Sequence, residues 1–309
     1  MQFKINRDTL LKSLNFVQGV VEKKNTLPIL SNVLLQLKDD KLSIVATDLD
    51  IIFYDEINDV KIINEGSTTT SAAILFDILR KISSNSEISF DLKSDNKLSL
   101  KSDNSDFNLL CLPVDNFPSF ADEFEANEIQ LDNTKFLKLL NKTRISISND
   151  DTRHYLNGIY LHLTEAQNRN FLTAVATDSH RLSSSSLEVE KLNDFRPLIL
   201  PRKTVLQLCS LLSETTEQLN MQTSENKIKF RIGNIKLISK VIDGKFPDYK
   251  KVVPTNNDKI LVISTKDFIN SIERVTSVSL DRKEGLKLAI SKDSVQLSVN
   301  SANSGEGNE

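Results

Sequence analysis

The sequence has no tryptophan, only eight glycines and only two cysteines in 309 residues. Glycine this sparse leaves no phosphate-cradling loop: neither GxxxxGKS/T nor GxGxxG occurs. HExxH, GxSxG and an EF-hand loop are also absent, so the common metalloprotease, hydrolase and calcium signatures are excluded. Cys111 and Cys209 lie far apart and form no CxxC pair. That excludes a disulfide scaffold and suits reduced thiols in a cytoplasmic protein. No apolar run approaches the roughly 18 residues of a membrane helix. Lys4, Arg7 and Lys12 break up the opening, which does not read as a signal peptide. The three histidines, His154, His162 and His180, lack ligand spacing, so neither metal nor cofactor is expected. A net charge of −3 disfavours a protein whose whole surface coats nucleic acid, though not one with a local basic stripe.

What the chain does contain is a long internal repeat. Phe3-Lys-Ile5-Asn6, with Leu10, Leu11 and Leu14, returns as Ile129-Gln-Leu131-Asp132, with Phe136, Leu137 and Leu140, and again as Leu261-Val-Ile263-Ser264, with Phe268, Ile269 and Ile272. The copies start 126 and then 132 residues apart. Such a repeat means that one domain type was copied. The expected domains are 1–122, 123–256 and an incomplete 257–309.

Within a copy, a short alternating strand leads into apolar residues at helical spacing. Asn6, Asp132 and Ser264 occupy one position, and all three are good helix N-caps. Alternating strands follow, as in Leu30–Leu37 and Leu156–Leu163, then a second helix at about 72–84 and 202–213, then more strands. Copies one and two close on Phe117-Pro118 and Phe246-Pro247. This order predicts an α+β fold, each unit packing two helices on antiparallel sheets, with the units set along an arc. Copy three is expected to supply its first strand, first helix and two strands before a polar tail from Ser301, falling short of its siblings by roughly 70–80 residues.

Charge is unevenly placed. The helix over 134–145 holds Lys135, Lys138, Lys142 and Arg144 and no acid. The three lysines share a face, opposite Phe136, Leu139, Leu140 and Thr143. Such a face repels itself, and a polyanion would offset the cost. The strand-rich stretch 85–107 is instead acid-rich. Helices and strands should therefore present opposite signs.

The tightest polar cluster is Thr177-Asp178-Ser179-His180-Arg181. As a hydrolase it would need Asp178 to orient His180, with Ser179 or a nearby serine as nucleophile. Residues two apart on a strand do not bond as a triad requires, and copy one has Thr47-Asp48-Leu49-Asp50 there. The cluster reads better as a turn in which Asp caps backbone amides.

Taken together, Arg153-His-Tyr155-Leu156-Asn157-Gly158, Ala176-Thr-Asp178-Ser-His180-Arg181-Leu182, Leu200-Pro-Arg202-Lys203 and Asp243-Gly244-Lys-Phe246-Pro247-Asp248-Tyr249 resemble the bacterial DNA polymerase III beta subunit family, the sliding clamps. The similarity runs over essentially the whole chain. It implies a non-catalytic clamp fold, a head-to-tail dimeric ring around duplex DNA, and a DNA polymerase held near its primer end by topology. It implies DNA contacts at Lys24, Arg80, Arg153, Arg202, Lys203 and Lys251, flanked by His154 and Tyr155. It implies a groove for short peptides of polymerases, the clamp loader and repair proteins at Leu156, Thr177, Ser179, His180, Arg181, Leu182, Pro247 and Val252. The ring interface would pair Phe107 and Leu109 with Ser277 and Val278 of a second copy. Lys24 and Lys251 stand where the family often has arginine, Ser179 where glycine is common, and Ser277 where an apolar residue is usual. An incomplete third copy is expected to close rings and bind peptides poorly. The alternative expectation is a monomeric peptide-binding form.

Overall fold

The shared capping position does what its chemistry requires. Asn6 accepts from Asp8 N, Asp132 from Lys135 N and Ser264 from Asp267 N, so each copy starts its first helix the same way. The computed structural model describes all residues except 23–25, 94–95, 121–123, 125–127, 191, 193–194 and 281–283.

Copy one runs β1 (Gln2–Asn6), α1 (Arg7–Val20), β2 (Asn32–Lys38), β3 (Lys41–Thr47), β4 (Ile51–Ile57), β5 (Val60–Asn64), β6 (Gly66–Ser71), α2 (Ala72–Lys81), β7 (Glu87–Leu92), β8 (Lys97–Ser102) and β9 (Ser105–Leu112). Copy two runs β10 (Ile129–Leu131), α3 (Asn133–Thr143), β11 (Gly158–Ala166), β12 (Arg169–Thr177), β13 (Leu182–Val189), β14 (Leu198–Pro201), α4 (Arg202–Ser213), β15 (Leu219–Thr223), β16 (Lys227–Ile232) and β17 (Ile235–Lys240). All strand pairs are antiparallel. The α+β expectation is met.

The two copies share a sheet. β17 pairs with β4, Leu237 facing Phe53, and this seam joins the copies' strands into one 13-stranded run. Buried residues of α1 to α4 pack on the strands as one apolar core. Helices α1 and α4 also meet across the seam. Gly19 lies under the Gln207 side chain, whose amide would have to move aside for a Cβ there. Met1–Pro247 accordingly forms one compact unit, and Asp248–Glu309 a second.

The second unit departs from expectation twice. It contains α5 (Thr265–Val275), β18 (Lys287–Ile290), β19 (Val295–Ser301) and β20 (Gly305–Asn308). No strand forms over 257–264, and Ile260 and Val262 are almost fully exposed. The reason is partnership: β1 pairs with β7 and β10 with β15, and no counterpart of those strands is among the described elements of copy three. The polar tail is not loose either. It turns back as β20 onto β19, and Glu309 exchanges backbone bonds with Leu297 while its side chain binds Arg274.

Candidate DNA and partner surfaces

Helix α3 buries Phe136, Leu139, Leu140 and Thr143. That fixes the opposite face, where Lys135, Lys138 and Lys142 are exposed, as is Arg144 just beyond. Among the described residues none of these four has an acidic partner. Arg80, in the last turn of α2, is exposed but tethered: it pairs with Asp77 at 3.3 Å and lies over the Phe76 ring. Arg202 opens α4 and is exposed. Lys24 lies outside the described residues. Lys251, in the second unit, is exposed and pairs with Asp248 at 3.2 Å.

Lys203 is different. Its ammonium donates to Val20 O at 2.9 Å and also binds Asp48, whose side chain is only 8% exposed, with Glu22 at 3.5 Å. It is a tie between copies one and two. Sequence alone could not show this, because its partners lie more than 150 residues away.

The Thr177–Arg181 cluster is a capped turn, as its copy-one sibling suggested. Asp178 Oδ1 accepts from His180 N and Arg181 N, both at 3.0 Å, and Arg181 Nε donates to Oδ2 at 3.0 Å. Burial pushes the Asp178 carboxyl up, but those amides and the guanidinium outweigh it, leaving it below the usual carboxylate range. Asp48 caps Asp50 N and Ile51 N in the same way. The middle residues, Ser179 and Leu49, have φ of 76° and 79°. That left-handed backbone is where a glycine would be unstrained.

This turn sits beside a 3-10 turn over Asp151–Leu156. Arg153 links the two, donating to Ser179 Oγ at 2.6 Å and to Asp150 at 2.8 Å. The Thr152 hydroxyl and Arg153 together hold the Asp150 carboxyl low. His154 Nε2 meets Asp243 O at 3.2 Å, and Tyr155 packs against Gly244 and edge-on to His154. Leu156 is buried, Thr177 and Leu182 are half-buried, and His180, Arg181 and Pro247 are exposed. The first unit thus brings Arg153, Tyr155, Leu156, Thr177, Ser179, Arg181 and Leu182 together. Val252 belongs to the second unit, where it is exposed. The sequence reading did not join Tyr160, Phe246 and His162. Tyr160 stacks on Phe246 at 4.8 Å and on His162 at 4.7 Å. The Phe-Pro phrase was the available signal.

On β9, Phe107 is half-buried and Leu109 buried, whereas Leu110 is 76% exposed. Phe107 borders a groove of about 510 Å³ with Ile74, Ile78, Lys81 and Ser102. Ser102 Oγ is buried there without a hydrogen-bond partner. In the second unit Ser277 is exposed and donates to Arg274 O, and Val278 packs on Val275, Leu297 and Val299.

Comparison with known proteins decides what this frame is. The N-terminal, central and C-terminal domains of the DNA polymerase III beta subunit match residues 1–121, 130–248 and 250–309 in order. The chain belongs to that family. The beta sliding clamp of Caulobacter vibrioides is 37% identical over 99% of this chain and 82% of its own length. That of Pseudomonas putida is 33% identical over 100% and 83%. Among solved structures, the Caulobacter crescentus clamp with polyethylene glycol bound superposes with a TM-score of 0.95 at 37% identity, covering 100% of this chain and 82% of the other. The Bartonella birtlesii clamp bound to griselimycin gives 0.93, also at 37% identity, covering 100% and 83%. The protein is accordingly a sliding clamp, a processivity factor of DNA polymerase III, and not an enzyme. No described helix is long and apolar enough to cross a membrane.

Proposed function

We propose that two copies of this chain join head to tail and enclose duplex DNA, with α3 and its neighbouring helices turned toward the phosphates. The carrying observation is the α3 face: Lys135, Lys138 and Lys142 are exposed, on one side of one helix, with no acidic partner among the described residues. A lining of this kind meets phosphates without reading bases, so it permits sliding. Arg80, Arg153 and Arg202 extend it, with Tyr155 alongside. Lys203 contributes more to tying the first and second repeats of one chain together than to DNA, given its three protein partners.

The ring joint in this reading sets β9, with Phe107 and Leu109, against the partner's third copy around Ser277 and Val278. The Thr177–Leu182 turn, Leu156 and Pro247 take short peptides of the polymerase and its accessory proteins. Griselimycin bound to the Bartonella clamp supports ligand capture by this family.

The test is retention on DNA. Lys138→Glu with Lys142→Glu should release the loaded protein from nicked circular DNA and leave its melting temperature and peptide binding unchanged. Unaltered retention would remove α3 from the DNA path. Equal retention of the parent on linear and circular DNA would remove enclosure itself.

A further inference from the structure

We infer that Ser179 is a positioning residue for Arg153: its hydroxyl occupies one arm of the guanidinium and withholds that side chain from DNA. This rests on the DNA reading above and adds what governs one of its contacts.

Arg153 is aimed and held within the first unit. Its backbone breaks the 3-10 turn over Asp151–Leu156, with φ of −115° and ψ of 56°, and its side chain reaches the Thr177–Leu182 turn. Nε donates to Asp150 Oδ2 at 2.8 Å and Nη1 to Ser179 Oγ at 2.6 Å. Nη2 has no protein partner among the described residues, and the side chain is 37% exposed. A guanidinium grips a phosphate best through two parallel N–H bonds. With Nε on Asp150, the end-on pair Nη1 and Nη2 is the remaining fork, and Ser179 sits on half of it.

The serine is not there to close its turn. Ser179 N donates to Thr177 Oγ1 at 3.1 Å, and in copy one Leu49 N donates to Thr47 Oγ1 at 2.9 Å. The turn therefore closes equally well around a side chain that has no hydroxyl. At φ of 76° the position would suit glycine better than serine. What serine brings is an acceptor, and Arg153 is the donor that meets it.

The repeat shows the two positions changing together. Arg153 stands five residues before β11, and Leu27 stands five before β2. Ser179 and Leu49 hold the middle of the equivalent turns. Copy one thus has an apolar residue at both positions, and copy two a cation and its acceptor. A hydroxyl without the arginine, or the reverse, occurs in neither copy.

The salt dependence of direct DNA binding reads the effect. The full chain is titrated onto a linear duplex of about 20 base pairs across a salt series, where each phosphate contact adds about 0.9 to the slope of log affinity against log salt. Ser179→Gly and Ser179→Ala should each steepen the slope by about 0.9, because freeing Nη1 lets Arg153 add one phosphate. In an Arg153→Gln background neither change should alter it, whereas a general effect on folding would persist there. Three results would overturn the inference. One is an unchanged slope in Ser179→Gly. Another is a change that survives Arg153→Gln. The third is a change in Ser179→Gly but not in Ser179→Ala, which would trace it to a relaxed backbone and not to the hydroxyl. Lys138→Glu with Lys142→Glu separates the two readings. If that pair flattens the slope while Ser179→Gly leaves it unmoved, the role of Ser179 falls and the DNA path stands. If neither moves it, both fall.

Discussion

Asp55 shows how much one side chain can depend on its burial. It is 8% exposed, at the foot of β4, and accepts a hydrogen bond from Ser13 Oγ. Burial pushes its carboxyl above the ordinary value, and Ser13 only partly pulls it back. A raised carboxyl is a cost above its folded pKa: the unfolded chain gives up its proton first, and stability falls as pH rises through that window. Asp55→Asn keeps an acceptor for Ser13 and removes the cost. Its melting temperature should exceed the parent's at neutral pH, and the advantage should vanish in acid below the usual carboxylate range. An advantage that grows toward acid would refute this. Lys203→Ala should do the reverse, costing about 1–3 kcal/mol in urea titrations by leaving the buried Asp48 without its cation. Of these two residues neither was legible in sequence. Asp55 lies in an ordinary alternating strand, and the partners of Lys203 are fixed only when α1 and α4 meet.

At the level of the element, sequence was a better guide. Three short polar side chains at one repeat position marked three helix starts, because an N-cap bond spans only two or three residues. Asp132→Ala should cost about 1 kcal/mol of stability, measured by denaturant unfolding. No loss would mean that Lys135 N finds another acceptor. The buried and exposed faces of α3 were equally legible, since helical spacing is local. The opening strand of copy three was misread for the complementary reason. Its apolar pattern matches β1 and β10, but a strand is defined by a neighbour, and pattern says nothing about whether one is present. Gly158, in the Leu-Asn-Gly phrase, is a further case of hidden context. A Cβ there would meet Leu200 O of β14 at 2.3 Å. Gly158→Ala should therefore destabilise by about 1–3 kcal/mol through overpacking, visible as a lower melting temperature.

Across Met1–Pro247, the first two copies of the repeat fold as one compact unit. The seam and the Lys203 tie both cross the boundary. Phe53→Ala in copy one and Phe136→Ala in copy two each empty a fully buried site, at about 3–5 kcal/mol. Calorimetry should show both lowering the same transition. Two transitions, each answering to one variant, would mean that the copies melt independently.

A main-chain ladder runs along the contact between β4 and β17, and side chains reinforce it, with Lys236 over the Tyr54 ring. A plank glued along its grain does not fold at the glue line. Any bending that parts the first two copies has to tear amide from carbonyl along this seam before it moves them apart.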